Sequence, residues 1–265
     1  VMKIKDWIQL QTAELRRANI ASAQLDAELL LCDALDVNRE WLITHSEDTV
    51  PQNTAIEAMR RRLNREPLAY IRGWKEFYGR QFNVNSSVLI PRPESETIIE
   101  IIKELPQEHT KILDIGTGSG ALAITAALEI PRSIVSACDI SDTALKVAEE
   151  NAKKLNANVT FISSDLVSNI HDQYDIIIAN LPYVDKSWQR SPETSFEPSL
   201  ALFAEEDGLG LIKQLIVQIK SSLSPNGYLL LEADPRQHEA LLSFAKEYGL
   251  QEYTKKDFII VLKKV

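Results

Sequence analysis

The chain has 265 residues, 45% hydrophobic and 25% charged, which suits a folded protein with a substantial core and room for two domains and excludes a disordered polymer. Its 29 Lys and Arg against 38 Asp and Glu give a net charge of −9, a poor balance for gripping bare nucleic acid, so a small molecule or a protein is the expected partner. No apolar run is long enough to span a bilayer and no signal-peptide core opens the chain, so a cytoplasmic protein without membrane contact is expected.

Helical spacing runs over residues 3–18, 23–35, 39–44 and 55–63, with Leu10, Leu15, Leu25, Leu29, Leu30 and Leu35 among the apolar positions. Residues 1–72 therefore read as a small all-helical domain. The cluster Arg60-Arg61-Arg62-Leu63-Asn64-Arg65 reads most simply as a solvated helix face, with an acidic partner or RNA as the functional alternative. Residues 73–95 read as a linker: 77–84 and 87–90 suggest short paired strands around a turn, followed by the rigid Pro91-Arg92-Pro93.

From Lys111 onward strand and helix alternate, so 96–265 reads as an α/β domain. Strand 111–115 feeds Gly116-Thr117-Gly118-Ser119-Gly120 and a helical pattern over 121–130. Strand 133–139 ends in Asp139, strand 159–162 leads into Ser163-Ser164-Asp165-Leu166, and strand 174–179 ends in Asn180-Leu181-Pro182-Tyr183. An irregular stretch, 184–206, carries Pro192, Pro198, Trp188 and Phe196 and suits a substrate-contacting loop or a packed insertion. A helix over 207–223, a turn at 224–227, a strand over 228–232 and a helix over 236–248 follow. The last two strand-like runs, 251–254 and 258–262, are too close for a helical crossover and should pair antiparallel.

Four strand ends thus carry glycine-rich or polar chemistry, and ligands of open α/β sheets bind at such ends. Glycines let backbone N–H groups approach a ligand, and a helix start adds unpaired donors, so a carboxylate or phosphate suits residues 116–120. Gly116-x-Gly118-x-x-Ala121 with Asp139 also satisfies the dinucleotide fingerprint, which keeps a nicotinamide enzyme open. Asp114, placed to meet a cationic amino group, and Asp165-Leu166, where adenine contacts would lie, favour S-adenosylmethionine; the terminal hairpin weighs against NAD. Asp139 and Asp165 taken singly could be helix caps. Asn180-Leu181-Pro182-Tyr183 suits a planar NH2 group: Asn180 Oδ1 can accept one N–H, a backbone carbonyl in the next peptide the other, and the Tyr183 ring can stack on the plane. The same tetrapeptide also fits a plain turn. Cys32 and Cys138 indicate neither a disulfide framework nor a metal cluster, and the scattered His45, His109, His171 and His238 read as surface or packing residues.

Several blocks occur together: Pro67-Leu68-Ala69-Tyr70-Ile71-Arg72-Gly73-Trp74-Lys75-Glu76-Phe77-Tyr78-Gly79, Val88-Leu89-Ile90-Pro91-Arg92-Pro93-Glu94-Ser95-Glu96, the glycine loop, the Asn180 tetrapeptide and Phe196-Glu197-Pro198-Ser199-Leu200-Ala201-Leu202. In order and separation they resemble the HemK/PrmC family across nearly the whole chain. The resemblance implies a Rossmann-like class I methyltransferase domain, with a mostly parallel seven-stranded sheet ending in an antiparallel hairpin. It implies methyl transfer from S-adenosylmethionine to the side-chain amide of the glutamine in the Gly-Gly-Gln motif of peptide chain release factors. Gly116 to Gly120 and Asp139 would hold the cofactor, Asp165 and Leu166 would lie by its adenine, Asn180 to Tyr183 would hold the glutamine, and the helical domain would help dock the release factor. The chain departs from the family at Leu181, where proline is usual, at Leu231-Glu232-Ala233-Asp234, which lacks an expected glycine, and at Ile259-Ile260-Val261-Leu262, where arginine often stands. An adenine-N6 nucleic-acid methyltransferase, a ribosomal-protein glutamine methyltransferase and a cofactor-binding module without turnover are the alternatives.

Overall fold

β1 (Met2–Lys3) runs straight into α1 (Ile4–Arg17), whose Ile4, Trp7 and Leu15 recur at helical spacing and are fully buried. They share a core with Leu30 and Leu31 of α2 (Ala23–Leu35) and Leu42 of α3 (Arg39–Thr44), while Leu10 and Leu25 face outward. The Asn38 side chain caps α3 by accepting from Trp41 N at 2.9 Å. β2 (Thr49–Val50) pairs antiparallel with β1, and α4 (Ile56–Leu63) and α5 (Leu68–Arg72) complete the helical unit, which comprises Val1–Gly73 and Ser191–Phe196. The second unit is Trp74–Arg190 with Glu197–Val265. The computed structural model describes residues 1–105 and 110–265, so His109 lies outside the described residues.

The arginine cluster differs from the solvated face expected of it. Arg62 is buried and donates to Asp26 Oδ2 at 2.7 Å and Glu193 Oε1 at 3.0 Å, and Arg65 donates to Glu193 Oε2 at 2.8 Å. Only Arg60 keeps a largely exposed side chain, paired with Glu57 on its own helix. A buried guanidinium is tolerable only when carboxylates neutralise it, and those carboxylates come from residues distant in sequence.

In the second unit β3 (Trp74–Phe77) and β4 (Arg80–Asn83) form an antiparallel hairpin around Tyr78 and Gly79. Both turn residues are left-handed, with φ of 51° and 71°, the geometry of a two-residue hairpin turn. The expected strand over 77–84 therefore straddles the turn, and 87–90 is not a strand; a tyrosine at positive φ hid the turn.

α6 (Glu96–Glu104), β5 (Lys111–Ile115), α7 (Ala121–Glu129), β6 (Ile134–Asp139), α8 (Asp142–Leu155), β7 (Val159–Ser163) and β8 (Tyr174–Ala179) follow in alternation. After the short α9 (Ser199–Leu202) come α10 (Gly210–Gln218), β9 (Leu223–Glu232), α11 (His238–Glu247), β10 (Leu250–Lys256) and β11 (Ile259–Lys264). α10 starts later than the expected residue 207, because Glu206, Asp207 and Gly208 all take positive φ, and the expected turn at 224–227 lies within β9.

The seven-stranded sheet has the order β10-β11-β9-β8-β5-β6-β7, parallel from β9 to β7 and antiparallel at β11 and β10. Strand alternation divides its core: Ile177 and Ala179 of β8 pack with α10 and α11, whereas Ile176 and Ile178 face the cluster of α6 and α7. Chain order reverses between β5 and β8. Ligands of open α/β sheets bind outside the strands' carboxyl ends at such a reversal. Among the described residues, no helix is long and apolar enough to cross a membrane.

Candidate active site

At the end of β5 the chain must turn sharply under α7, and Gly116, Gly118 and Gly120 all take left-handed φ, at 71°, 55° and 80°. Gly116 N and Thr117 N donate to Cys138 O at 2.9 and 3.0 Å, which ties the loop to β6. Gly118 N donates to Asp139 Oδ2 at 2.9 Å, while Asp139 Oδ1 accepts from Ser141 N at 2.9 Å. A Cβ on Gly118 would meet nothing within 4 Å, whereas one on Gly116 would lie 2.9 Å from Leu181 Cδ2. One glycine thus faces open space and another rests on the tetrapeptide.

Asp114, expected to meet a ligand's amino group, lies beneath the glycine loop. It is 1% exposed, and its Oδ2 accepts from Thr117 Oγ1 at 2.7 Å and Ala123 N at 3.2 Å. Burial raises its pKa to about 6 against the pull of those two hydrogen bonds. One donor of the first turn of α7 is therefore spent on Asp114. Fully buried Asn151 ties the loop from the other side, donating to Ser119 O at 2.9 Å and Asn83 O at 3.0 Å and accepting from Asn83 N at 2.7 Å.

Beyond β8, Asn180 Nδ2 donates to Ser95 Oγ and to Glu232 Oε2, both at 3.0 Å. Ser95 Oγ itself donates to Glu232 Oε2 at 2.5 Å, and the Tyr183 hydroxyl donates to Glu232 Oε1 at 3.2 Å. Glu232 ends β9 and is 2% exposed; burial raises its pKa, opposed by the hydrogen bonds from Ser95, Tyr183 and Asn180. Burial, then the charge of Glu232, likewise raises the Tyr183 pKa, so its hydroxyl remains a donor. The Tyr183 carbonyl accepts from Gln237 Nε2 at 2.9 Å, and the same amide donates to Asp207 O at 2.8 Å.

The two arrangements border one cleft of about 270 Å³. Gly116, Thr117, Gly118, Ser119, Asp139, Asp165, Leu166, Asn180, Leu181 and Pro182 line it; Asp114, Gly120 and Tyr183 stand behind the lining. Its far wall joins Pro91 and Arg92 to Pro198 and Leu200, and buried Glu197 holds these segments together by accepting from Ile90 N at 3.1 Å and Arg92 Nη2 at 2.6 Å. Sequence reasoning assigned no role to Ser95, Asn151, Glu197, Glu232 or Gln237. The available signal was a polar residue on an otherwise apolar face, as with Asn151 in α8 and Glu232 after Leu229-Leu230-Leu231.

His238 is buried against Ala233 O and His45 stacks on Trp41, while His171 is exposed. Among the described residues no group of three or more His, Cys, Asp or Glu could hold a metal ion.

A family model described as methyltransferase small domain matches residues 95–194, and another described as PrmC N-terminal domain matches residues 6–73. Over 251 residues the chain is 42% identical to the release factor glutamine methyltransferase of Koribacter versatilis, spanning 88% of this chain and 89% of that protein. It is 35% identical over 263 residues to the release factor glutamine methyltransferase of Deinococcus radiodurans, spanning 97% of this chain and 95% of that one. In fold it is similar to a methyltransferase from Pyrococcus furiosus, with a TM-score of 0.56 and 16% identity over 78% of this chain and 98% of that one.

Proposed function

This chain belongs to the release factor glutamine methyltransferase family, and we propose that it transfers a methyl group from S-adenosylmethionine to the side-chain amide nitrogen of the Gly-Gly-Gln glutamine of a peptide chain release factor. The observation that carries the reading is the Asn180 amide. Its Nδ2 is turned onto Ser95 Oγ and Glu232 Oε2, which share one N–H between them, so Oδ1 points away from that pair and is left to accept an N–H from a substrate amide.

The cleft fits the cofactor by the chemistry of its walls. Gly118 offers open backbone where a side chain would intrude, Asp139 closes β6 with a carboxylate suited to ribose hydroxyls, and Leu166 beside Asp165 supplies an apolar surface with a polar neighbour for adenine. Thr117, Gly118 and Ser119 would hold the methionine end, with Asp114 and Gly120 supporting the loop. When bound, S-adenosylmethionine supplies a methyl group activated by its sulfonium charge.

The protein's part is orientation. An amide nitrogen is a weak nucleophile while its lone pair is delocalised, so Asn180 Oδ1 and the Leu181 carbonyl fix its two N–H bonds and leave the lone pair facing the methyl. During transfer the amide nitrogen would gain positive charge, which Asn180 Oδ1 and the Leu181 carbonyl would stabilise through the N–H bonds they accept. The surplus proton leaves to water without a general base. Pro182 would flank the amide plane, and Tyr183, expected to stack there, instead stands behind the cleft wall, anchored through its hydroxyl to Glu232. The helical unit would help dock the release factor. The acidic balance suits a protein substrate in the cytoplasm rather than stable nucleic-acid binding.

Peptide mapping by mass spectrometry, after incubation of a release factor with this protein and S-adenosylmethionine, tests the reading. One methyl on the Gly-Gly-Gln glutamine is expected; methylation of adenine in DNA or RNA instead would overturn it.

A further inference from the structure

We infer that Glu232 is the positioning residue that decides which end of the Asn180 amide meets the acceptor. The inference rests on the proposed amide acceptor and adds what makes Asn180 competent for it. A primary amide is nearly symmetric in shape, and a half-turn about its last bond exchanges oxygen for nitrogen. With nitrogen toward the cleft, two N–H donors would face the N–H bonds of the substrate amide and repel them. Shape alone cannot prevent that exchange, because the two ends differ chiefly in hydrogen-bonding character.

Glu232 prevents it by chemistry. Glu232 takes hydrogens at both oxygens, from Ser95 and Asn180 at Oε2 and from Tyr183 at Oε1, and the Ser95 hydroxyl has its own hydrogen spent on Oε2, so it too presents a lone pair to Asn180. Both neighbours at 3.0 Å therefore demand a donor, and a flipped Asn180 would set its oxygen against two acceptors. Glu232 is itself immobile. It is buried at the end of β9, in register with Ile259 of β11, and its second oxygen accepts the Tyr183 hydroxyl. One carboxylate thus holds Asn180 on the cleft wall and Tyr183 behind it.

The required property is accepting power at Oε2, which a glutamine can supply: its oxygen can take the Asn180 and Ser95 hydrogens while its NH2 donates to the Tyr183 oxygen. Glu232→Ala should lower kcat about 100-fold, with the dissociation constant of S-adenosylmethionine little changed, because the lost orientation acts on the acceptor alone. Glu232→Gln should recover most of that loss, which a merely packed carboxylate would not require.

The experiment pairs single-turnover methylation of a release factor with side-chain amide NMR of [15N]asparagine-labelled protein, the Asn180 signal being identified by its disappearance in Asn180→Ala. Asn180 Nδ2 protons should exchange slowly in the parent and in Glu232→Gln, and about tenfold faster in Glu232→Ala. Ser95→Ala, a milder lesion of the same hydrogen-bond pair, should fall between them and keeps the test open where Glu232→Ala folds poorly. Equal exchange in parent and Glu232→Ala, or an unchanged kcat, would overturn the inference. A parent that methylates no release factor while these exchange differences persist would overturn the acceptor reading and leave the positioning role standing.

Discussion

The two halves of the cleft are built from different materials. At the ends of β5 and β6 the working groups are backbone: left-handed glycines, N–H donors turned onto Cys138 O and Asp139, and one buried carboxylate beneath the loop. At the ends of β8 and β9 they are side chains, with Ser95, Asn180, Tyr183 and Glu232 drawn from three separate segments into one hydrogen-bonded cluster around the Glu232 carboxylate. A backbone cradle suits a ligand common to many enzymes. A side-chain cluster suits the discrimination of a single acceptor group, since the donors and acceptors it presents are set by residue identity.

The two halves should therefore fail separately. Asn180→Ala, in the acceptor half, should slow single-turnover methyl transfer about 10²–10³-fold with cofactor affinity retained, checked by rapid quench beside calorimetry. Loss of cofactor binding in that variant would erase the division. Leu181→Ala attacks the point where the halves touch. Its side chain is 4% exposed and packs beneath Gly116, so truncation should cost about 2–4 kcal/mol in urea unfolding and loosen the cofactor loop as well.

In the cofactor half, Asp114 has a pKa raised from 3.8 to about 6, so the folded state holds this proton more tightly than the unfolded chain. The stability it contributes is complete below the unfolded value and is lost as pH rises through about 6. Asp114→Asn keeps an oxygen for Thr117 and Ala123 without that titration. Between pH 4 and 7 the parent should lose about 2 kcal/mol relative to the variant in urea unfolding, and parallel pH profiles would show that the carboxyl is not so held. The smallest effect belongs to Asp139→Ala, which should weaken S-adenosylmethionine binding by about 1–3 kcal/mol in calorimetry while the rate at saturating cofactor stays near the parent's. Unchanged affinity would remove Asp139 from the site.

The same contrast explains what could be read before the structure. The glycine spacing at 116, 118 and 120, the acid closing β6 and the Asn180 tetrapeptide closing β8 are local patterns at strand ends, and the alternation of strand and helix orders them along one sheet edge. Glu232 is the last residue of β9, directly after Leu229-Leu230-Leu231, and was visible only as a departure from an expected glycine motif. Its role depends on Ser95, whose hydroxyl reaches it across 137 positions of sequence. Arg62 illustrates the same limit in the helical unit, where Asp26 and Glu193 convert an apparent surface cation into a buried one. The shifted hairpin had a conformational cause, since Tyr78 accepts a left-handed turn position usually held by asparagine or glycine.

The central claim, that this cleft selects a carboxamide as methyl acceptor, is tested most directly by changing the acceptor atom. Transfer of labelled methyl from S-adenosylmethionine should be measured to a release factor carrying Gly-Gly-Gln and to one carrying Gly-Gly-Glu at the same place. Glutamate presents no N–H to Asn180 Oδ1 and sets a charged oxygen against two acceptors, so labelling should appear on the glutamine form and vanish on the glutamate form. Equal labelling of both forms would contradict the account.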